Sequence, residues 1–137
     1  MKSYLFAYGT LLPGHAPSEI ATSVNRLRSI GRGRIHGRLY DLGEFPGAIV
    51  DATADTAVSG EIFELPEDPA VLRSLDEYEG YDPADPEASL FVRKECVIEL
   101  PDGRDLDCWV YVYNRDPGRA PLMRSGVYTA VRPDGRR

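Results

Sequence analysis

Residues 76–82 read Asp-Glu-Tyr-Glu-Gly-Tyr-Asp, and helical geometry sets one of these carboxylates apart from the rest. Asp68 suits an N-cap, Pro69 the first helical position and Gly80 the helix end. On such a helix Leu72, Leu75 and Tyr78 or Glu79 recur on one stripe, so Glu79 continues an apolar face while Glu77 points to water. Burial, the partial negative charge of the terminal carbonyls and acidic neighbours would each disfavour ionisation of Glu79. All three move a glutamate from about 4.3 toward neutrality, where one group can take a proton and give it back, as general acid–base catalysis requires. The competing reading is an acidic helix end that simply faces solvent.

The segment Tyr8-Gly9-Thr10-Leu11 is the second candidate. At the end of a strand, successive turn amides can point into one concavity, and glycine lets backbone approach a ligand closely. Such a nest suits a carboxylate or an oxyanion, although Gly-Thr also ends strands for turn reasons alone.

Few other residues compete. There is no Gly-x-Ser-x-Gly elbow and no phosphate loop, and the two histidines, His15 and His36, stand 21 positions apart. Gly31-x-Gly33 is followed by Gly37, which breaks the dinucleotide spacing. Cys96 and Cys108 lack zinc-site spacing and read as small apolar residues. With a hairpin loop over residues 101–104, Cys96 would lie opposite Trp109 and Cys108 opposite Val97, so the sulfurs would point to opposite faces.

The elements that must position these groups follow from periodicity. Residues 3–8 form an apolar strand with Tyr4, Phe6 and Tyr8 on one face and Leu5 and Ala7 on the other, which predicts a central position. A short helix follows from Pro17 and Ser18, with Ile20, Val24 and Leu27 at helical spacing. Over residues 30–42 the period becomes two, with Arg32, Arg34, His36 and Arg38 on a solvated face and three glycines on the inner one, as at a bent barrel strand. Phe45-Pro46-Gly47 reads as a turn, residues 48–50 and 57–65 as strands, and residues 91–100 and 105–113 as a long-armed hairpin. A weak element lies around residues 127–131. The order predicts an α+β fold, a small mixed barrel with flanking helices, in a single domain over residues 1–137.

Charge narrows the partners. Residues 1–40 carry +5, residues 41–107 carry −15 and residues 108–137 carry +4. The acidic middle repels phosphate backbones, so the arginines from Arg26 to Arg38 are expected to be a solvated strand face and not a nucleic-acid site. No window reaches the roughly 18 unbroken apolar residues of a membrane span. The apolar N-terminal run is too short for a secretory core, so a cytoplasmic location is expected.

Taken together, Tyr8-Gly9-Thr10-Leu11 and Leu75-Asp76-x-x-Glu79-Gly80-Tyr81 resemble the γ-glutamylcyclotransferase-like family, closest in form to the branch with γ-glutamylamine cyclotransferase and the AIG2-like proteins. The resemblance runs on through Gly37-Arg38-Leu39-Tyr40, Phe45-Pro46, Gly60-Glu61-Ile62-Phe63, Phe91-Val92-Arg93 and Trp109-Val110-Tyr111-Val112-Tyr113. It implies a compact mixed barrel, free of cofactor, that converts a small γ-glutamyl compound to 5-oxoproline and a free amine. Glu79 matches the family's catalytic glutamate, and Tyr8, Gly9, Thr10 and Leu11 match its substrate-holding turn. Arg93 and Tyr113 match recurring positions expected to bind substrate. Gly126-Val127-Tyr128 departs from the family, in which an acidic residue commonly follows that glycine. The alternative function is a binding or interaction domain that keeps the fold without turnover.

Overall fold

The computed structural model describes residues 2–9, 18–43 and 45–127. Its elements in chain order are β1 (Ser3–Ala7), α1 (Ser18–Val24), β2 (Arg28–Asp41), β3 (Pro46–Val50), β4 (Ala57–Leu65), α2 (Pro69–Glu79), β5 (Phe91–Glu99) and β6 (Asp105–Tyr113). Five strands close a ring in the order β2-β4-β1-β6-β5, with β5 returning to β2 where Arg34 pairs Glu99. β3 adds a sixth strand outside the ring, on β2. β1 runs parallel to β6, with Leu5 opposite Trp109, and the other pairings are antiparallel. The fold is therefore the α+β barrel that the periodicity predicts.

β1 sits between β4 and β6, which is why both of its faces are apolar. Phe6 and Tyr8 join Val58, Ile62, Ile98 and Val110 inside the ring. Leu5 and Ala7 turn outward with Phe63 and Tyr111 and are covered by Ile20 and Val24 of α1 and by Val71 and Leu75 of α2. Leu75 is fully buried, a burial worth about 1.5–3 kcal/mol. Asp68 caps α2 by accepting from the Ala70 amide, and Pro69 occupies the first turn. The arginine face of β2 is exposed at Arg32 and Arg34, while Ile35, Gly37 and Leu39 are buried.

Two local expectations are corrected. Pro46 and Gly47 belong to β3 and pair with Asp41 and Tyr40, so the turn lies before them. In the β5–β6 hairpin the loop is one residue shorter than expected. Gly103 takes a left-handed φ of 88° and donates to the Leu100 carbonyl, while the Leu100 amide bonds the Arg104 carbonyl. That shifts the register by one and places Cys96 directly opposite Cys108, both on the inner face. Asp76, beside Glu77 in the acidic run, is buried, at 6% exposure. The element anticipated over residues 127–131 falls largely outside the described residues.

Both cysteines are free. Burial raises the Cys96 thiol and, with the charges of Asp107 and its neighbours, pushes Cys108 up to about 12. A thiolate is the reactive form, so neither should react readily near neutral pH. Thiol titration at pH 7.4 is expected to find both groups slow in the folded protein and fast in denaturant; rapid labelling of folded protein would contradict this environment.

Candidate active site

A cavity of about 240 Å³ opens where β1 leaves the barrel. Phe6, Ala7, Tyr8 and Gly9 form one wall, Phe45 and Pro46 a second, and Tyr78 and Glu79 at the end of α2 a third. Leu90, Phe91 and Tyr111 complete it. The helix terminus and the exit of the first strand therefore share one pocket. Gly9 has a steric reason to be glycine, because a Cβ there would lie 2.5 Å from Pro46 Cγ across the cavity.

Glu79 ends its helix against Gly80, whose φ of 72° permits the closing turn. The Gly80 amide bonds the Glu77 carbonyl at 3.2 Å and the Tyr81 amide bonds the Asp76 carbonyl at 2.9 Å. These bonds quench part of the terminal field, so the helix end contributes less to Glu79 than the bare terminus suggests. Burial is what raises the group, pushing it up to about 7. At neutral pH the two protonation states are then comparably populated.

Tyr8 is buried and its hydroxyl is spent on the protein. It donates to the Tyr111 carbonyl at 2.6 Å and accepts from the Ala48 amide at 3.2 Å. Burial first, then the nearby Glu79 charge, raises its pKa well beyond the usual phenol range. The hydroxyl thus stays protonated and fixes the strand exit to β3 and β6, leaving the ring and backbone to face the cavity.

Behind Glu79 lies a polar cluster in which Arg93 holds Asp76 with both prongs of its guanidinium, at 2.8 Å to Oδ1 and 3.2 Å to Oδ2. The Tyr111 hydroxyl donates to Asp76 Oδ1 at 2.6 Å. Arg93 also lies 4.4 Å from the Trp109 ring centre and 5.6 Å from that of Tyr81, so aromatic faces cover the cation. Burial and hydrogen bonding to Asp76 hold the Tyr111 phenol protonated.

The structure brings together Tyr8, Gly9 and Glu79 of the residues singled out by sequence. Thr10 and Leu11 lie outside the described residues, as does His15. Arg93 does not line the cavity and is engaged by Asp76. Tyr113 also stands off it, its ring 5.5 Å from Phe91, which does form a wall. Sequence reasoning missed Asp76 and Tyr111 as site neighbours. Position 76 is four residues after Leu72 and three before Glu79, so the stripe that selected Glu79 already contained it. Among the described residues no three His, Cys, Asp or Glu side chains cluster as a metal-ligand set, and no helix is long and apolar enough to cross a membrane.

Comparison with known proteins agrees with this geometry. A Methanocaldococcus jannaschii protein provisionally designated a γ-glutamylcyclotransferase is 26% identical over 132 residues, which span 94% of this chain and 98% of that protein. The crystal structure of a mouse AIG2-like protein superposes with a TM-score of 0.74 at 24% identity, covering 99% of this chain and 94% of that one. YkqA from Bacillus subtilis matches with a TM-score of 0.68 at 20% identity over 93% of this chain, which spans 40% of YkqA's length. These two likenesses carry the fold. The family model described as gamma-glutamyl cyclotransferase, AIG2-like, matches residues 5–130, which run from the first strand past the barrel's last and take in the cavity on the way. With nearly the whole barrel and its Glu79 cavity inside that match, the chain belongs to the gamma-glutamyl cyclotransferase, AIG2-like family.

Proposed function

We propose that the protein is a cyclotransferase that converts a γ-glutamyl amine or γ-glutamyl amino compound to 5-oxoproline and the free amine, with Glu79 as general base and acid. The observation that carries this reading is the Glu79 carboxyl group, raised to about 7 in a cavity shared with the exit of the first strand. The substrate supplies its own nucleophile. Its α-ammonium gives a proton to the Glu79 carboxylate, and the freed lone pair attacks the γ-carbonyl carbon, forming the ring C–N bond. As the γ-amide C–N bond breaks, the departing nitrogen takes the proton back from the Glu79 carboxylic acid. The ring nitrogen sheds a second proton to become the lactam N–H, and the released amine ends as ammonium, so the protons balance.

Nucleophile and electrophile belong to one molecule, so the cavity's main task is to hold the γ-glutamyl chain folded. Such pre-orientation supplies on the order of 7–11 kcal/mol. The amides of residues 9–11 are the proposed donors to the α-carboxylate or to the developing oxyanion. Phe45, Pro46 and Phe91 offer an apolar wall to the leaving side.

The test is release of 5-oxoproline from a panel of γ-glutamyl amino acids, γ-glutamyl-ε-lysine, other γ-glutamylamines and glutathione. Product is expected with γ-glutamylamines first. Saturable binding across the panel without product would replace this reading with that of a binding domain.

A further inference from the structure

Asp76 and Glu79 are one helical turn apart on α2, an arrangement that puts their Cβ atoms roughly 5–6 Å from each other. A lone aspartate there would hold the base protonated too firmly to accept a proton, since a like charge in a buried setting raises a carboxyl. Arg93 arrives from β5 with a bidentate grip on Asp76, at 2.8 and 3.2 Å, and an arginine alone in that place would do the opposite. The two side chains are nearly closed to solvent, at 15% and 9% exposure, so water screens them little.

We propose that the Asp76–Arg93 pair, clasped by the Tyr111 hydroxyl one helical turn from Glu79, is a positioning unit that presents the base with balanced charge. The inference rests on Glu79 being the general base. The titratable groups that surround Glu79 among the described residues are the hydroxyls of Tyr8 from β1, Tyr111 from β6 and Tyr78 from its own helix, all lining the same cavity. Those of Tyr8 and Tyr111 stay protonated and Glu77, two residues along the helix, is exposed, which leaves the Asp76–Arg93 pair as the shielded ion pair on the same helical turn as the base. Tyr111 belongs to the unit as well. Its hydroxyl fixes Asp76 while its carbonyl receives the Tyr8 hydroxyl, tying the helix that carries the base to the strand exit opposite.

A merely structural ion pair and a charge-balancing one both lose stability when broken, so stability cannot separate them. The sign of the shift at Glu79 can. Asp76→Asn leaves the guanidinium unopposed and is expected to lower the Glu79 pKa by about one unit, whereas Arg93→Met leaves the carboxylate unopposed and is expected to raise it by a similar amount. The double variant Asp76→Asn with Arg93→Met removes both charges and should return Glu79 to near its parental value. The measurement is carbon-13 NMR titration of the Glu79 carboxyl in the full chain, with the acid limb of kcat/KM against pH moving in step. Shifts of the same sign in the two single variants, no shift in either, or a double variant that fails to return would overturn the proposal. Should Asp76→Asn fail to fold, Arg93→Met and the double variant still decide the matter between them. Opposite shifts in the titration of a protein that turns over no γ-glutamyl compound would uphold this inference and defeat the functional reading.

Discussion

Glu79→Gln is expected to lower turnover of the preferred γ-glutamyl compound by about 10²- to 10⁴-fold while making the folded protein more stable in mildly alkaline solution. Glutamine keeps the size and hydrogen-bonding shape of the side chain but can neither take nor return the proton. The stability effect has the opposite sign for a physical reason. Glu79 is raised in the folded state from 4.5 to about 7, so between those values the native protein holds a proton that the unfolded chain has released. Stability therefore falls as pH rises through that window, and above it the partly buried carboxylate costs up to about 3 kcal/mol relative to a neutral group, from roughly 1.36 kcal/mol per unit. The variant escapes that cost, so its advantage should be full near pH 8.5 and vanish below about pH 4.5. Urea unfolding of both proteins at several pH values, beside 5-oxoproline assays, measures the two effects. Equal turnover would remove Glu79 from the reaction, and parallel stability curves would show that its carboxyl is not held in a low-polarity site.

The opposition between activity and stability explains how much of this site was legible in the sequence. Glu79 could be found because it broke local rules that its neighbours obeyed, and α2 could be bounded because Asp68, Pro69 and Gly80 each carry a cap signal of their own. The strand that delivers Tyr8 and Gly9 was legible for a different reason, since apolar residues on both faces left it no edge position. What could not be read was anything set by partners distant in the chain. Arg93 lies 17 residues from Asp76, and Tyr111 lies 35 away, so the clasp on α2 exists only once the barrel has closed. The hairpin register failed on a smaller matter, a single left-handed glycine that shortens the loop and turns Cys96 and Cys108 to the same face. Alternation survives a one-residue slip when both faces are partly apolar, so the pattern alone could not reject the wrong register.

Barrel closure itself yields the second large effect. Gly60 in β4 sits opposite Gly33 in β2, beneath the end of β1. A Cβ at position 60 would run into the Ala7 carbonyl oxygen and come within 2.8 Å of Phe6 Cζ. The ring could tilt, but the carbonyl belongs to the backbone of β1, and moving it displaces the strand that ends in Tyr8 and Gly9. At position 33 the closest obstacles are side-chain methyls, Ile98 Cγ2 at 2.5 Å and Ile62 Cδ1 at 2.9 Å, so buried side chains rather than the backbone of β1 must yield first. Overpacking typically costs about 1–3 kcal/mol, and where rigid backbone must yield the upper end applies. Gly60→Ala is therefore expected to lose about 3 kcal/mol, or roughly 10 °C of Tm for a chain of this length, against about a third of that for Gly33→Ala. Since the displaced strand forms one cavity wall, the folded fraction of Gly60→Ala should also bind γ-glutamyl compounds more weakly, whereas Gly33→Ala, which neither lines the cavity nor presses on β1, should not. Thermal melts and KM values for both variants make the comparison. If Gly60→Ala matched Gly33→Ala in Tm and KM, β1 would not be held at the close approach that sets the strand exit against Glu79.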